Sequence, residues 1–374
     1  MAGDDLRSPA GRFNLSLRMI DLPPPSHLYV GTYTRTTSQG IYELAFNPET
    51  GELGEPQLAA EIANPTWLSW APDRRTLLSV DAGGAGSVAS FSVLPSAPAS
   101  LVPLSSRPTG GGSPCHVVAD ASGRMVLAAS YGEAVVSSFP LHADGTLGER
   151  TGYVKHVGSG PDAGRQNEAH AHGVTLSPDN HFAFVPDLGS DKVFAYVIDP
   201  ATATFTAHNP AFLAVAPGSG PRHLEFSPGG ANAYLINEMG GTIVAFDYDS
   251  GKGILTPVQT ISTLPEGFRG ANKTAEIAVH PNGRFVYGSN RGHDSIVVYA
   301  RDPATGRLTL VEHTPSGGKS PRHFALSPDG AWLITAHEES DDLFVFRVDP
   351  QTGRLTKTIH TATVPMAVCI LFGR

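Results

Sequence analysis

The sequence predicts an all-β fold, a seven-bladed β-propeller with four antiparallel strands per blade and a ring closed by pairing of the N-terminal and C-terminal strands. Three observations lead to this prediction. A turn signature recurs roughly every 50 residues, each interval contains four short strand-like segments, and the two ends of the chain carry complementary parts of one repeat.

The repeat is anchored on a turn of the type Pro-Asp-Gly between two short strands. The anchors lie 49, 57, 50, 53 and 47 residues apart, at Pro72, Ala121, Pro178, Pro228, Pro281 and Pro328. An apolar strand precedes each turn, and a second follows it, as in "AYLINE". A third strand of alternating character and a more polar fourth complete the interval. A two-sheet sandwich would not explain such a regular period.

The two ends of the chain supply the remaining blade. The segments "HLYVGTYT", "GIYELAF" and "LGEPQLAAE" read as a second, third and fourth strand, and the C-terminal "VPMAVCILF" reads as a first strand. Pairing them makes a composite blade, which together with six internal repeats gives seven. Closure also removes the exposed sheet edge that an open array would leave.

The composition supports one closed unit. The 374 residues include 41 Gly and 31 Pro, and 40% are hydrophobic, which provides both a core and many turns. We therefore expect a single propeller over residues 26–374 after a flexible N-terminal tail, residues 1–25. That tail is acidic at its start and lacks the apolar segment of a secretory signal.

The charge and cysteine content limit the function classes. A formal charge of −9 argues against nucleic-acid and membrane-surface partners, which require a basic footprint, but permits a small anion as ligand. Two cysteines, Cys115 and Cys369, are too few for a disulfide framework or a zinc site. We expect a cytoplasmic protein, a monomer or weak homo-oligomer, with no cofactor.

Polar residues gather at one predicted mouth of the central channel. The first strand of a blade lines the channel and the second runs antiparallel beside it, so the start of one and the end of the other share a mouth. Starts of first strands carry His116, His170, His172, Arg222, His223, Glu276, Arg322 and His323. Ends of second strands carry Asp187, Asn237, Glu238, Asn290, Arg291, His337 and Glu338. The insertion "KHVGSGPDAGRQNEAH" adds Arg165 and Gln166.

The arginines of this rim predict an anionic ligand. The sequence Pro-Arg-His occurs twice, in "GSGPRHLEFSP" and "GKSPRHFALSP". Several arginines at one channel mouth repel one another unless an anion or neighbouring glutamates compensate them. Other site chemistries are weaker, since the pair His170 and His172 lacks further zinc ligands at conventional spacing and no Gly-x-Ser-x-Gly elbow is present.

The segments "GPRHLEFSP", "RQNEAHAHGVTLSPDNHFAFVPDLGSDKVFAYVID" and "AEIAVHPNGRFVYGSNRGHDSI" resemble the seven-bladed propeller lactonase family. That family includes 6-phosphogluconolactonases and 3-carboxy-cis,cis-muconate lactonizing enzymes, and the resemblance runs from about His27 to the C-terminus. The family pattern implies that the catalytic positions are His172, Arg222, Glu238 and Arg291.

The resulting hypothesis is metal-free hydrolysis of an anionic sugar lactone, 6-phosphogluconolactone above all. Arg222 and Arg291 would hold the anion and the oxyanion, Glu238 would be the general base, and His172 would protonate the leaving alkoxide. Substrate contacts are expected from Arg165, Gln166, His170, His223, Asn237, Glu276, Asn290, Arg322 and His323.

Three alternatives remain open at this point. The same residues could catalyse lactone formation from a carboxylate and an alkene, as in a muconate cyclase. Alternatively, the propeller could be a platform that binds a partner protein. A metal-dependent gluconolactonase type of propeller would recruit Glu276, Asn237 and Asn290 as ligands.

Overall fold

The computed structural model describes residues 27–94 and 101–373. In this part of the chain the strands form seven four-stranded sheets, which confirms the predicted seven-bladed propeller. The predicted tail, residues 1–25, lies outside the described residues. Between residues 27 and 373, again leaving out 95–100, no helix has the length and apolar character needed to cross a membrane.

The blades follow one another along the chain, four strands each, and we number them I to VII. Blade I contains β28 (Ala367–Phe372), β1 (His27–Thr32), β2 (Gly40–Ala45) and β3 (Gln57–Glu61). Blade II contains β4 (Leu68–Trp70), β5 (Thr76–Asp81), β6 (Ser87–Val93) and β7 (Leu101–Pro108). Blade III contains β8 (Pro114–Ala119), β9 (Met125–Ser130), β10 (Val135–Pro140) and β11 (Gly152–Lys155). Blade IV contains β12 (Thr175–Leu176), β13 (Phe182–Asp187), β14 (Lys192–Asp199) and β15 (Thr204–Ala214).

The last three blades are the most regular. Blade V contains β16 (Pro221–Phe226), β17 (Asn232–Asn237), β18 (Thr242–Asp249) and β19 (Ile254–Ser262). Blade VI contains β20 (Lys273–Val279), β21 (Phe285–Arg291), β22 (Ser295–Arg301) and β23 (Leu308–Pro315). Blade VII contains β24 (Pro321–Leu326), β25 (Trp332–His337), β26 (Asp342–Val348) and β27 (Leu355–Thr363).

Blade I closes the ring as predicted. The C-terminal β28 pairs antiparallel with the N-terminal β1, with Leu28 opposite Phe372 and Val30 opposite Ile370. The closing strand thereby becomes the innermost strand of its blade. Pairing of the two ends covers the inner edge of β1, so the ring is closed by the same kind of backbone hydrogen bonds that hold each blade together.

The hydrophobic core lies between neighbouring blades, because each sheet buries both of its faces. All six residues of β9, "MVLAAS", are buried, and the clusters of buried side chains join residues of adjacent blades. A strand covered on both sides needs apolar residues at successive positions, which is why the second strands read as continuous apolar runs.

Hydrogen bonds from buried aromatic side chains link each of the last three blades to the next blade. The Tyr234 and Tyr287 hydroxyls donate to the carbonyls of Gly306 and Gly353, both at 2.8 Å, and the Trp332 indole N–H donates to the Pro48 carbonyl at 2.8 Å. The acceptors belong to three similar turns, "PATG", "PQTG" and "PETG". These bonds let large aromatic side chains fill the gap between blades without an unpaired donor.

One predicted strand is shorter than expected. The first strand of blade IV was expected to begin near His170, but regular pairing covers only Thr175–Leu176, with an isolated bridge between Ala171 and Asp187. Gly173 lies against the backbone of blade V, where a Cβ would come 3.0 Å from the Arg222 carbonyl oxygen. The histidine-bearing segment therefore crosses the channel mouth as irregular backbone.

Candidate active site

The predicted polar mouth of the channel, which we call the upper mouth, opens into a cavity of about 730 Å³, the upper cavity. Its wall consists of the strand ends that the sequence singled out, with Glu238, Arg291 and His172 on blades IV to VI and Arg322 on blade VII. Arg165, from the insertion before blade IV, also lines it.

A β-bulge at the start of the first strand explains the repeated Pro-Arg-His sequence. In blade V, Pro221 is opposite Asn237 and His223 is opposite Ile236, so Arg222 is the extra residue between them. Blade VII repeats this arrangement at Pro321 and His323. Strand alternation would send neighbouring side chains to opposite faces, but a bulge re-aims one of them. Arginine and histidine thus both face the channel.

The bulges stack two layers of side chains along the channel axis. Blades III, V and VII carry Pro-x-His at these points. Of the middle residues, Cys115 and Arg322 line the upper cavity and Arg222 contacts Glu238. The histidines of the same three motifs lie one step deeper and reach toward the lower half of the channel. The sequence motif therefore serves two different sites.

Glu238 stands at the centre of the upper layer. Its Oε2 lies 2.9 Å from Arg291 Nη2 and 3.3 Å from Arg222 Nε, and its Oε1 lies 2.7 Å from Arg165 Nη2. The carboxylate is only 3% exposed, so its interactions with these guanidinium groups are poorly screened by water. One carboxylate compensates three cations, which leaves the group electropositive.

The arginines keep the Glu238 carboxylate ionised. Burial by itself would raise the pKa of Glu238, but the charges of Arg291 and Arg222 and the hydrogen bond from Arg165 outweigh it and hold the pKa well below the usual range. The arginines are affected in return. Burial, reinforced by Arg291 and Arg322, lowers the pKa of Arg222 to about 10.

His172 lies beside this cluster as a neutral imidazole. Its Nε2 is 3.7 Å from Glu238 Oε2, and its buried Nδ1 has no hydrogen-bond partner within the described residues. Burial and the charge of Arg222 lower the pKa of His172 well below its ordinary value, against the opposing effect of Glu238. Near neutral pH His172 is therefore uncharged.

A second polar layer lies directly below and narrows the channel. His223 Nδ1 is 3.1 Å from Glu276 Oε2, and His323 Nε2 is 3.5 Å from the same oxygen. The Trp67 ring stacks on His116 at 4.0 Å between centroids and packs edge-on against His223. This layer separates the upper cavity from a lower one of about 620 Å³.

The buried histidines give the fold a pH dependence that can be measured. Burial lowers the pKa of His116, His172 and His223 well below that of the unfolded chain, with the charge of Arg222 acting in the same direction. Below pH 6.5 these histidines bind protons in the unfolded chain but stay neutral in the folded protein. The free energy of unfolding is therefore highest above that pH and decreases as the pH falls. Each such histidine contributes a slope of at most about 1.4 kcal/mol per pH unit.

We expect the Tm to fall between pH 7.5 and pH 5, and the His116→Gln variant to show a shallower fall. His142, exposed in the turn after β10, provides the matched control, and His142→Gln should keep the wild-type slope. A Tm that stays constant over this range would contradict the assignment of these histidines as neutral.

Four predicted contact residues do not reach the cavity. Gln166 is fully buried and donates to the Leu188 carbonyl at 2.8 Å, and Asn290 is fully buried with its amide bound to Thr263. Asn237 donates to Thr242 at 3.0 Å, and His170 stacks on Tyr131 with its Nδ1 2.9 Å from the Tyr131 carbonyl oxygen. These polar groups hold loops and strand ends in place instead of facing a ligand.

Three further predicted residues lie in the lower layer, at the floor of the site. His223, Glu276 and His323 border the narrow passage together with Arg222 and Trp67. They are one layer away from Glu238. The proposed metal ligands Glu276, Asn237 and Asn290 accordingly do not converge on one point of the upper cavity, and within residues 27–94 and 101–373 no group of three or more His, Cys, Asp or Glu side chains is placed to hold a metal ion.

Several cavity residues were not predicted from the sequence. Tyr33, Arg35 and Asn64 reach the wall from blade I and the connection to blade II, and Tyr131 and Lys273 reach it from blades III and VI. Tyr33 and Tyr131 each directly follow a second strand, so the rule that selected Glu238 and Arg291 would also have found them. Arg35 lies in a turn whose path no sequence signal specifies.

The cysteine at the cavity floor is poorly suited to act as a nucleophile. Burial raises the pKa of Cys115 to about 12, and the thiol contacts the carbonyl oxygens of Ala129, Ala171 and His172 at 3.3 to 3.7 Å. A thiol with so high a pKa supplies almost no thiolate near neutrality.

The chain matches one protein-family model and is similar to several named proteins. A family model described as "Lactonase, 7-bladed beta-propeller" matches residues 27–372. The 6-phosphogluconolactonase of Bacillus subtilis is 35% identical over 79% of this chain and 83% of its own length. The protein of the same name from Formosa agariphila is 31% identical over 79% and 85%.

The fold is also similar to that of a solved lactonase. The solved structure of a periplasmic gluconolactonase from Pseudomonas aeruginosa superposes with a TM-score of 0.89, with 36% identity over 93% of this chain and 99% of that chain. The relatives thus include one named for a phosphorylated lactone and one named for a lactone without phosphate, at nearly the same identity.

Proposed function

This chain belongs to the lactonase family of seven-bladed β-propellers, and from that premise we propose that it hydrolyses 6-phosphogluconolactone to 6-phosphogluconate at the upper cavity. The observation that carries the proposal is the Glu238 carboxylate held among three guanidinium groups beside a neutral histidine. Such a group supplies a proton acceptor and oxyanion stabilisation at one point.

The geometry favours His172 as the general base. Glu238 was expected to take this role, but both of its carboxylate oxygens are bound by guanidinium groups. The Nδ1 atom of His172 has no hydrogen-bond partner among the described residues, so it can take a proton from a water molecule. The hydroxide equivalent adds to the lactone carbonyl carbon, and the negative charge passes to the carbonyl oxygen.

Arg222 and Arg291 stabilise that oxygen, since both guanidinium groups already face the anionic Glu238 carboxylate. Protonated His172 then donates to the ring oxygen as the acyl carbon–oxygen bond breaks. The water is thus divided between the new carboxyl group and the new hydroxyl group, and His172 returns to its neutral form. Glu238 keeps the arginines in position.

We propose that the reaction needs no metal, because the groups in contact with Glu238 are arginines and a histidine, and both of its carboxylate oxygens are bound by guanidinium groups. The expected result is release of 6-phosphogluconate above the spontaneous rate, unchanged by a chelator. The measurement couples 6-phosphogluconate to its dehydrogenase with freshly made lactone. No acceleration would refute the substrate assignment, and loss of activity to the chelator alone would refute the metal-free mechanism.

The alternatives lack supporting observations. The relatives compared carry lactonase names, and none is named as a muconate cyclase. A cavity wall rich in arginine suits a small anion better than a protein surface. The cytoplasmic location stays a prediction, as the Pseudomonas aeruginosa relative is a periplasmic protein.

A further inference from the structure

A second cationic group lies across the upper cavity from Glu238. In a ring of seven, blade I stands across the channel axis from blades IV and V, and its loop after β1 carries Tyr33 and Arg35 to the cavity wall. Arg322 of the neighbouring blade VII borders the same region. The mechanism proposed above uses none of these three residues.

Two guanidinium groups share the Tyr33 ring. The Arg35 guanidinium carbon lies 3.9 Å from the ring centroid and that of Arg322 lies 5.2 Å from it. Arg322 also pairs with Glu338 at 3.5 Å. Arg35 is exposed, and within residues 27–94 and 101–373 its guanidinium has the ring as its partner and no carboxylate. Its five N–H donors are therefore free to bind an anion.

The backbone that presents Tyr33 and Arg35 is held in place on both sides. The Tyr33 N–H donates to the Met366 carbonyl at 3.1 Å, and the Thr34 N–H donates to the Asn64 side chain at 2.9 Å. Asn64 returns a bond from its own N–H to the Thr34 hydroxyl at 3.2 Å. An exposed arginine on a fixed loop, stacked on a ring, loses less freedom on binding an anion than one on a mobile loop.

The charge distribution assigns oxyanion stabilisation and phosphate binding to different parts of the cavity. A dianionic phosphate placed beside Glu238 would meet a carboxylate and would occupy the arginines needed for the oxyanion. At Tyr33 it would meet Arg35, which has no carboxylate partner among the described residues, and the adjacent Arg322, which is paired with Glu338. In a 6-phosphorylated lactone the ring separates the phosphate from the carbonyl carbon, so one molecule can occupy both positions.

Resting on the proposed function, we propose that Arg35, together with Tyr33 and Arg322, forms a phosphate subsite that selects phosphorylated over unphosphorylated sugar lactones. The subsite would bind the phosphate ester by charge-assisted hydrogen bonds from the two guanidinium groups. It would also account for a preference that membership of the family leaves undecided, because relatives of nearly equal identity are named for either kind of lactone.

The test compares Arg35→Gln with the wild type on matched pairs of ligands. Hydrolysis is measured on 6-phosphogluconolactone and gluconolactone, and calorimetry measures binding of the products 6-phosphogluconate and gluconate. We expect the ratio of kcat/KM for the phosphorylated over the neutral lactone to fall roughly ten- to hundredfold, and 6-phosphogluconate affinity to fall by a similar factor relative to gluconate. Arg35→Lys, which keeps the charge, should recover part of both.

Arg347 offers a matched control. It is also an exposed arginine stacked on an aromatic ring, 4.9 Å from the Trp332 ring, but it does not line the cavity. Arg347→Gln should leave both ratios unchanged. Equal weakening of the two products by Arg35→Gln, or no weakening of 6-phosphogluconate, would overturn the subsite. If the wild type hydrolyses neither lactone, the proposed function fails, and selective loss of 6-phosphogluconate binding would still support the subsite.

Discussion

Glu238→Gln is expected to lower kcat/KM for the lactone roughly 10²- to 10³-fold and to destabilise the fold by about 3 kcal/mol. The substitution keeps the size of the side chain but removes the charge that compensates Arg165, Arg222 and Arg291. Arg222 and Arg291 are then left buried or nearly so without a carboxylate, and their repulsion displaces the groups that stabilise the oxyanion. Lactone hydrolysis and urea denaturation measure the two effects.

The same variant should bind simple anions more tightly than the wild type does. Sulfate or phosphate can occupy the place of the lost carboxylate, so either salt should raise the Tm of Glu238→Gln more than that of the wild type. Glu149→Gln is the control, because Glu149 pairs with Arg107 at 3.3 Å outside the cavity and its side chain is exposed. It should cost less than about 1 kcal/mol and leave activity intact. Wild-type stability of Glu238→Gln would disprove the compensating role.

His172→Ala is expected to lower kcat roughly 10²- to 10⁴-fold with little change in KM, because it removes the proposed proton acceptor and donor but no charged contact to the substrate. The imidazole has a free Nδ1 and lines the open cavity, so its loss leaves a space of its own shape connected to solvent. Added imidazole should therefore restore part of kcat. The measurement is the steady-state rate of 6-phosphogluconate release at several imidazole concentrations.

His142→Gln serves as the control for this experiment, since His142 is exposed in a turn remote from the cavity. It should match the wild type with and without imidazole. If His172→Ala retained more than about one third of the wild-type kcat, His172 would not be the base, and the assignment expected from the sequence, with Glu238 in that role, would regain weight.

The location of the site could be predicted from the sequence because it depends on strand order alone. The ends of second strands and the starts of first strands must share a mouth, and this rule predicts that Glu238, Arg291 and Arg222 lie together, as they do. The rule says which strand end a residue occupies. It does not say where the side chain points, so it also selects His170, Asn237 and Asn290, whose polar groups bond to loops and strands.

The general base proposed from the structure, His172, differs from the one predicted from the sequence, Glu238, for an electrostatic reason. From residue type alone, a glutamate near neutral pH is expected to act as a base, and a histidine as an acid or a base. Only the distances show that three guanidinium groups contact Glu238, and only burial makes His172 neutral. Both effects depend on how closely charges approach in a medium of low dielectric constant, which residue types alone do not specify.

The sequence by itself determined the propeller, the number of blades and the closure of the ring, because a repeated pattern of apolar strands and turns permits few arrangements that bury every face. The tertiary structure alone decided how the repeated Pro-Arg-His is used. A bulge of one residue turns Arg222 to the upper cavity while His223 enters the layer below, and the same displacement at blade VII brings Arg322 to the Tyr33 ring. Such bulges arise from pairing across strands, so they depend on contacts between residues that are distant along the chain.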